Sequence, residues 1–458
     1  MSEVIKIKKG LTINLQGEAD KVFSQVELPK TVAVKPTDFP FLTPKLTLKP
    51  GANVLAGDTL FYDKDRPAIK FASPVSGEVV DVIRGAKRKI LEVRVLADSS
   101  INYQDHGSLN PASASKEDIK SKMLNGGVWA FLTERPFGGV ANPEADPRDI
   151  FISGFDTNPL AGDIDFMLHG LEEEVKTAVQ ALSKLTSGKV YIGVSANAGS
   201  GKIFDACKSI DNVVVKQFSG QHPAGNVGTQ IHAIEPINKG EMVWTVNANN
   251  LPIIGKLFLE GKYDATRALC VAGPGIENPK YIRTIIGAPV KDMVANNVKS
   301  DTNYRIISGS PLSGSTANEE YTLGHFEYQI CALEEGDKPK FVATDGWMSP
   351  GFNRFSLSRT YPTWLIGKNK KFNLDTNLNG EHRAFVVTGQ YEKVFPFDIY
   401  PVQLIKSIIT NDVEMQENLG IYEVLPEDFA VCEFVCTSKI ESQDILRKGL
   451  ENLKAELG

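Results

Sequence analysis

Arg135 and Phe137 flank Pro136 in one glycine-rich turn, Glu134-Arg-Pro-Phe-Gly-Gly139. A fixed cation beside an aromatic face suits a planar, carbonyl-bearing ligand, because the cation bonds the oxygen while the ring stacks. The competing role for the same residues is structural, with Arg135 paired to an acid and Phe137 packed. A second glycine-rich loop, Gly220-Gln-His-Pro-Ala-Gly-Asn-Val-Gly228, carries His222 beside Pro223, and His232 follows it. A loop imidazole there can bond a quinone carbonyl or a phosphate, or hold the loop through its backbone. Arg135, Pro136, Phe137 and His222 are the candidate ligand-binding residues.

Three other signals fail on spacing. Ala198-Gly-Ser-Gly-Lys202 resembles a phosphate loop, but Ala196 stands where the first glycine is needed and Ile203 where a hydroxyl is needed. Asn125-Gly-Gly-Val-Trp-Ala-Phe131 sits where a flavin or dinucleotide loop would lie, without the Gly-x-Gly-x-x-Gly spacing that lets backbone approach a pyrophosphate. Val128, Trp129 and Phe131 would fill that space with side chains. Cys432-Glu-Phe-Val-Cys436 is a lone spaced pair, whereas iron–sulfur clusters take four thiolates, and no histidine lies near it for zinc. No cofactor and no metal is therefore expected on this chain, and no catalytic triad or carboxylate pair can be read from spacing.

The two glycine-rich loops sit in a run that alternates strand and helix. Asp149–Asp156, Val190–Val194 and Val213–Phe218 are apolar runs of strand length. Leu171, Val175, Ala178, Val179, Leu182 and Leu185 recur at helical spacing between the first two. A short helix is expected around Ile203–Cys207. Strands joined through helices imply a parallel sheet. Ser115-Lys-Glu-Asp118 and Ser438-Lys-Ile-Glu441 have capping-box spacing. Residues 1–100 are β-rich, and Pro50–Asp58 with Ser73–Val79 resembles the barrel-sandwich of biotinyl and lipoyl carriers. The candidate tip, Asp63-Lys-Asp-Arg-Pro67, lacks the Met-Lys-Met type of context a carrier lysine has.

A chain of 458 residues exceeds one core. Five domains or segments are expected: a β domain at 1–100, an α/β domain at 101–261, a β-grasp unit at 262–318, a β-rich segment at 319–375 and a helical C-terminal domain at 376–458. Composition is 42% hydrophobic and 23% charged, too apolar for a disordered chain. The net charge of −6 gives no reason to expect nucleic acid. No apolar run approaches the roughly 20 residues of a membrane span, and the N-terminus lacks a signal-peptide core. Five cysteines fit a reducing compartment.

Several segments in one order resemble the NqrA family, the first of the subunits of the bacterial Na+-translocating NADH:quinone oxidoreductases. They include Ile5-Lys-Ile-Lys-Lys-Gly-Leu11, Lys70-Phe-Ala-Ser-Pro-Val-Ser-Gly-Glu-Val79, Arg84-Gly-Ala-Lys-Arg88, Arg135-Pro-Phe137 and Asp156-Thr-Asn-Pro-Leu160. Further along are His222-Pro-Ala-Gly225, Gly255-Lys-Leu-Phe-Leu259 and Cys432-Glu-Phe-Val-Cys436. The resemblance implies an α/β and β multidomain fold with a barrel-sandwich hybrid, a Rossmann-like domain, an SLBB-like β-grasp domain and a helical C-terminal region. It implies a peripheral subunit, without a transmembrane segment, on the cytoplasmic face of the bacterial inner membrane. There it would sit in a six-subunit complex that couples NADH:ubiquinone reduction to sodium export. Ubiquinone is the ligand it suggests for Arg135, Pro136, Phe137 and, less directly, His222. The family is similar to RnfC and to the NADH-oxidising subunit of complex I, yet this sequence lacks their flavin loop and cluster cysteines. A stand-alone flavin- or nicotinamide-dependent oxidoreductase is the second reading.

Overall fold

The computed structural model describes residues 4–457 except 345, 347, 358 and 366–369. Residues 1–3 of the polar N-terminus and the Leu457 side chain lie outside the described residues.

The expected parallel sheet is present. Its strands run in the order Val4–Lys6, Val213–Ser219, Val190–Ser195, Ile150–Ser153, Val243–Asn247, Thr133–Arg135. All neighbours are parallel except Thr133–Arg135, which pairs antiparallel at one edge. Burial on both faces explains the near-continuous apolar runs. Ile150 and Ile152 face the main core, and Phe151 faces a smaller one with Tyr191 and Ile231. The helix Glu172–Ser183 opens on three glutamates, favourable at the positive end of the helix dipole, and buries Val175, Ala178, Val179 and Leu182. It packs on the helix Leu251–Glu260 so closely that a Cβ on Gly255 would lie 2.0 Å from the Glu174 carbonyl oxygen.

The barrel-sandwich consists of two small sheets. One has the order Thr31–Val34, Ile90–Ala97, Gly77–Arg84, Asn53–Val54, and the other Pro44–Leu46, Thr59–Asp63, Lys70–Ala72. It shares one continuous core with the α/β domain, from Phe61 and Phe71 through Trp129 and Phe131 to Leu257. The tip carrying Lys64 is tethered. Arg66 donates to Asp63 (3.1 Å) and to the Val140 carbonyl of the α/β domain (2.9 Å), so this hairpin is not free in the way a carrier tip is.

The β-grasp sheet draws on residues outside 262–318. Its order is Ser315–Thr316, Tyr304–Ser308, Gln329–Glu334, Thr266–Ala272, Lys280–Ile285, Asp20–Ser24. Gln329–Glu334 fills the centre, and Asp20–Ser24 closes one edge. Among the described residues of 319–375 it is the one strand; the rest of that segment is turns, isolated bridges and the short 3-10 helix Pro362–Leu365. Thus residues 4–24 are a strap: Val4–Lys6 extends the α/β sheet and Asp20–Ser24 the β-grasp sheet.

The C-terminal region is helical, with Pro401–Ile409, Val413–Asn418, Ala430–Val435 and Ser442–Leu457 around their own core. Leu446, Leu450 and Leu453 form the buried stripe of the last helix, and Ile445 is partly buried against the same core. The first capping box forms, with Ser115 and Asp118 bonding reciprocally. The second does not: the helix begins at Ser442, and the Ser438 hydroxyl donates instead to the Ala384 carbonyl (2.8 Å). A tertiary partner has outcompeted the local cap.

Candidate functional site

Strand Thr133–Arg135 leads into a tight turn in which Glu134 N–H donates to Gly139 O and Gly138 N–H to Glu134 O (2.8 and 2.9 Å). The Arg135–Pro136 peptide is cis, and Phe137 follows with φ +79°. That left-handed conformation is rare for a bulky side chain and costs about 1–2 kcal/mol. It turns the Phe137 ring away from the sheet and into a corner built by three domains. Phe41 of the barrel-sandwich, also at φ +63°, meets it edge to face at 6.4 Å. Tyr422 of the helical region meets it on another side at 6.3 Å. Lys454, from the last helix, places its ammonium 4.1 Å from the Phe41 ring centre and 5.6 Å from that of Phe137.

Behind the rings stands Glu134, almost fully buried. It accepts from Asn142 N–H (3.0 Å) and lies 3.8 Å from the Lys454 ammonium. Burial pushes the Glu134 carboxyl above its usual range, and burial also holds the Lys454 ammonium below its own. The corner therefore offers two partly exposed aromatic faces, one cation able to donate, and a carboxyl nearby whose proton affinity is drawn toward that of the lysine.

Arg135 takes no direct part in this surface. It is 1% exposed, and its guanidinium donates to the Asp428 carboxylate (2.9 Å), to Glu427 and to the Glu423 carbonyl (3.4 Å). Burial works against the charge, and the two carboxylates outweigh it, so the guanidinium is held charged. Gly228 makes room for the pair, since a Cβ there would lie 2.5 Å from the guanidinium and 2.6 Å from the Asp428 carboxylate. The structural role open to Arg135 is therefore realised, and its acid comes from the C-terminal region.

His222 is buried behind the same joint. Its Nδ1 bonds the Thr157 hydroxyl (3.1 Å), and its carbonyl accepts from Leu11 N–H (2.8 Å). Nε2 has no partner. Burial pulls its pKa down to about 4, against the opposing charges of Asp156 and Asp428, so the ring is neutral at neutral pH. His232 bonds Glu423 through Nδ1 (2.8 Å) and accepts from Asp398 N–H at Nε2 (3.1 Å), another tie to the helical region. The four sequence-predicted residues thus converge on one domain joint, with Phe137 and Pro136 keeping partly exposed surface. Glu134 of the same turn completes the corner with Phe41, Tyr422 and Lys454, and no sequence spacing links those three to it.

The glycine-rich turns before Lys202 and Val128 are occupied by the chain's own side chains. The Gly201 and Ile203 N–H groups, which would cradle a phosphate, donate to the Asp165 carboxylate (2.6 and 3.2 Å). A phosphate would have to displace that anion. After Gly127, Val128, Trp129, Ala130 and Phe131 are all buried, with the Trp129 indole donating to Ala141 O (2.8 Å) and edge-on to Trp244. Cys432 and Cys436 are buried thiols in the helical core, and burial pushes Cys432 far up from its ordinary value. Among the described residues no group of three or more metal-binding side chains comes together.

Three family models match this chain: the NqrA N-terminal barrel-sandwich hybrid domain over 5–98, the NqrA second alpha/beta domain over 114–263, and the NQRA C-terminal domain over 269–319. Among solved structures, an NAD+-reducing NiFe hydrogenase in its H2-reduced state aligns with 76% of this chain and 62% of its own, at 11% identity and a TM-score of 0.41. Three curated relatives, each named as the A subunit of a Na(+)-translocating NADH-quinone reductase, come from Pasteurella multocida, Hahella chejuensis and Neisseria meningitidis serogroup B. They are 36, 35 and 34% identical, each over 99% of this chain and the whole of the relative. Full-length identity at that level, over the same order of domains, shows that the chain belongs to the NqrA family of Na+-translocating NADH-quinone reductases.

Proposed function

We propose that this chain serves as the peripheral subunit of a Na+-translocating NADH:ubiquinone reductase and contributes to the quinone site through the Phe41–Phe137–Lys454 corner. Family membership supports a complex with other subunits; on this reading there are six in all, with the chain at the cytoplasmic face of the inner membrane. No helix among the described residues is long and apolar enough to cross a membrane, so attachment runs through other contacts. The carrying observation is the cation held over two aromatic rings at a three-domain joint. A quinone head stacks on such rings and accepts a hydrogen bond from the ammonium. Lys454, held 3.8 Å from Glu134, can donate a hydrogen bond or proton to a quinone oxygen as the ring takes up electrons that the complex draws from NADH. Arg135, Pro136 and His222 shape and brace the loop that presents Phe137. The second reading, a stand-alone flavin or nicotinamide enzyme, is disfavoured by Asp165 in the phosphate position and Trp129 in the flavin position.

Titration of the purified chain with a short-chain ubiquinone tests this. Binding should weaken about tenfold in Phe137→Ala and in Lys454→Gln, in keeping with about 1–2 kcal/mol for a partly desolvated ring or cation contact. Unchanged affinity in both variants would remove the corner from the quinone site.

A further inference from the structure

Over most of the surface, exposed apolar side chains are scattered singly. One segment breaks that pattern. Among the described residues nineteen large hydrophobics are exposed, and seven of them fall within 341–365, where an even spread would put about one. Phe341, Trp364 and Leu365 are 69, 50 and 67% exposed, and Met348 and Phe352 are exposed too. Short turns gather them: Met348 N–H donates to Val342 O (3.1 Å), Arg354 N–H to Gly351 O (3.0 Å) and the Thr363 hydroxyl to Arg354 O (2.6 Å). The Arg354 and Arg359 guanidinium groups lie over the rings of Tyr361 and Trp364, at 5.5 and 5.2 Å. The base of the segment is anchored to the strap, through Phe372 N–H to Asn14 O (2.8 Å) and Lys371 to Glu18 (2.6 Å).

Charge singles out an overlapping stretch that runs on to 371. Residues 341–371 contain Arg354, Arg359, Lys368, Lys370 and Lys371 against Asp345 alone, a net +4 in a chain of net −6. The remainder of the molecule is therefore at −10 and is repelled by any anionic surface that attracts this segment.

We propose that the described residues of 341–371 form a membrane-interface anchor that docks on an anionic lipid bilayer. Phe341, Phe352, Trp364 and Leu365 would enter the headgroup–acyl boundary while the arginines stay on headgroup phosphates. Lipid is the favoured occupant because the described residues of the segment offer no strand edge or long helix for a protein to match. Its helical piece among the described residues is the single turn Pro362–Leu365. A bilayer requires only apolar reach with a cationic rim, and both are present. The acidic body then sets the orientation, with this face toward the membrane.

The test is co-sedimentation of the full-length chain with vesicles of equal parts phosphatidylcholine and phosphatidylglycerol, beside vesicles of phosphatidylcholine alone. The wild-type chain should partition to the anionic vesicles, and brominated lipid should quench its tryptophan emission. Trp364→Ser with Leu365→Ser should lower partitioning about tenfold or more. Arg354→Gln and Arg359→Gln should each lower it about fivefold on anionic lipid and reduce the preference for it by the same factor. Arg359, Trp364 and Leu365 are exposed and Arg354 is half-buried, and an unchanged circular dichroism spectrum confirms the fold of each variant. No partitioning of the wild-type chain, or equal partitioning of all variants, overturns the proposal. So does a Trp364→Ser, Leu365→Ser chain that binds vesicles normally but no longer assembles with its membrane subunits, which would assign the patch to a protein partner.

Discussion

Arg135 shows how one residue type supports two readings until its neighbours are known. A cation beside an aromatic in a glycine-rich turn is readable in sequence, and the turn is where that reading puts it. Its partners lie nearly 300 residues downstream, at Glu427 and Asp428, and no local spacing points to them. Asp428 is itself 1% exposed. Removing the guanidinium therefore leaves a buried carboxylate uncompensated, which typically costs about 3–5 kcal/mol. Arg135→Ala should lower the unfolding free energy by that order, read as a lower urea midpoint. Arg135→Met with Asp428→Leu, which removes both charges, should recover most of the loss. A single variant that unfolds like wild type would mean that solvent reaches the pair. Phe137 differs, because its ring is only partly buried and its loss should register in ligand binding more than in stability.

At the scale of elements, the contact between helices Glu172–Ser183 and Leu251–Glu260 depends on a missing side chain. Gly255 lies inside the second helix, where glycine costs about 1 kcal/mol relative to alanine. The close approach to the Glu174 carbonyl explains why it is there, since a methyl group at 2.0 Å forces the helices apart. Gly255→Ala should therefore destabilise by about 1–3 kcal/mol despite better helix propensity, read as a lower thermal midpoint. A rise would mean that the helices separate freely. The same scale shows what sequence patterning captures. The central strands of the α/β sheet are readable because they are apolar on both faces and joined by helices with a clear 3.6-residue period. Val4–Lys6 and Asp20–Ser24 are not readable as sheet members, being too short for a period and paired only with strands hundreds of residues away. Gln329–Glu334 is apolar enough for a strand, but nothing local says that it enters the middle of the β-grasp sheet. The Phe41–Phe137–Lys454 corner is the hardest to read, because two of its members depend on left-handed backbone at non-glycine positions and the third arrives from the last helix.

For the whole molecule, the strap is what joins otherwise separate sheets. Residues 4–6 cover the open edge of Val213–Ser219, Leu11 N–H holds the His222 loop, and residues 20–24 cover the edge of Lys280–Ile285. An uncovered edge presents unpaired backbone to solvent and to other chains. Deleting residues 1–24 should therefore speed amide hydrogen exchange in Val213–Ser219 and Lys280–Ile285 together, although they belong to different sheets. The barrel-sandwich strands Gly77–Arg84 and Ile90–Ala97 pair mainly with each other and should keep their protection. Loss in one edge alone would show that the strap holds a single domain. Loss in the barrel strands as well would make it part of that domain's own stability. Because the strap also fixes the loop of His222, which backs the joint where Arg135 meets Asp428, the deletion should weaken ubiquinone binding without touching Phe137 or Lys454. That result would separate the joint that positions the corner from the side chains that form it.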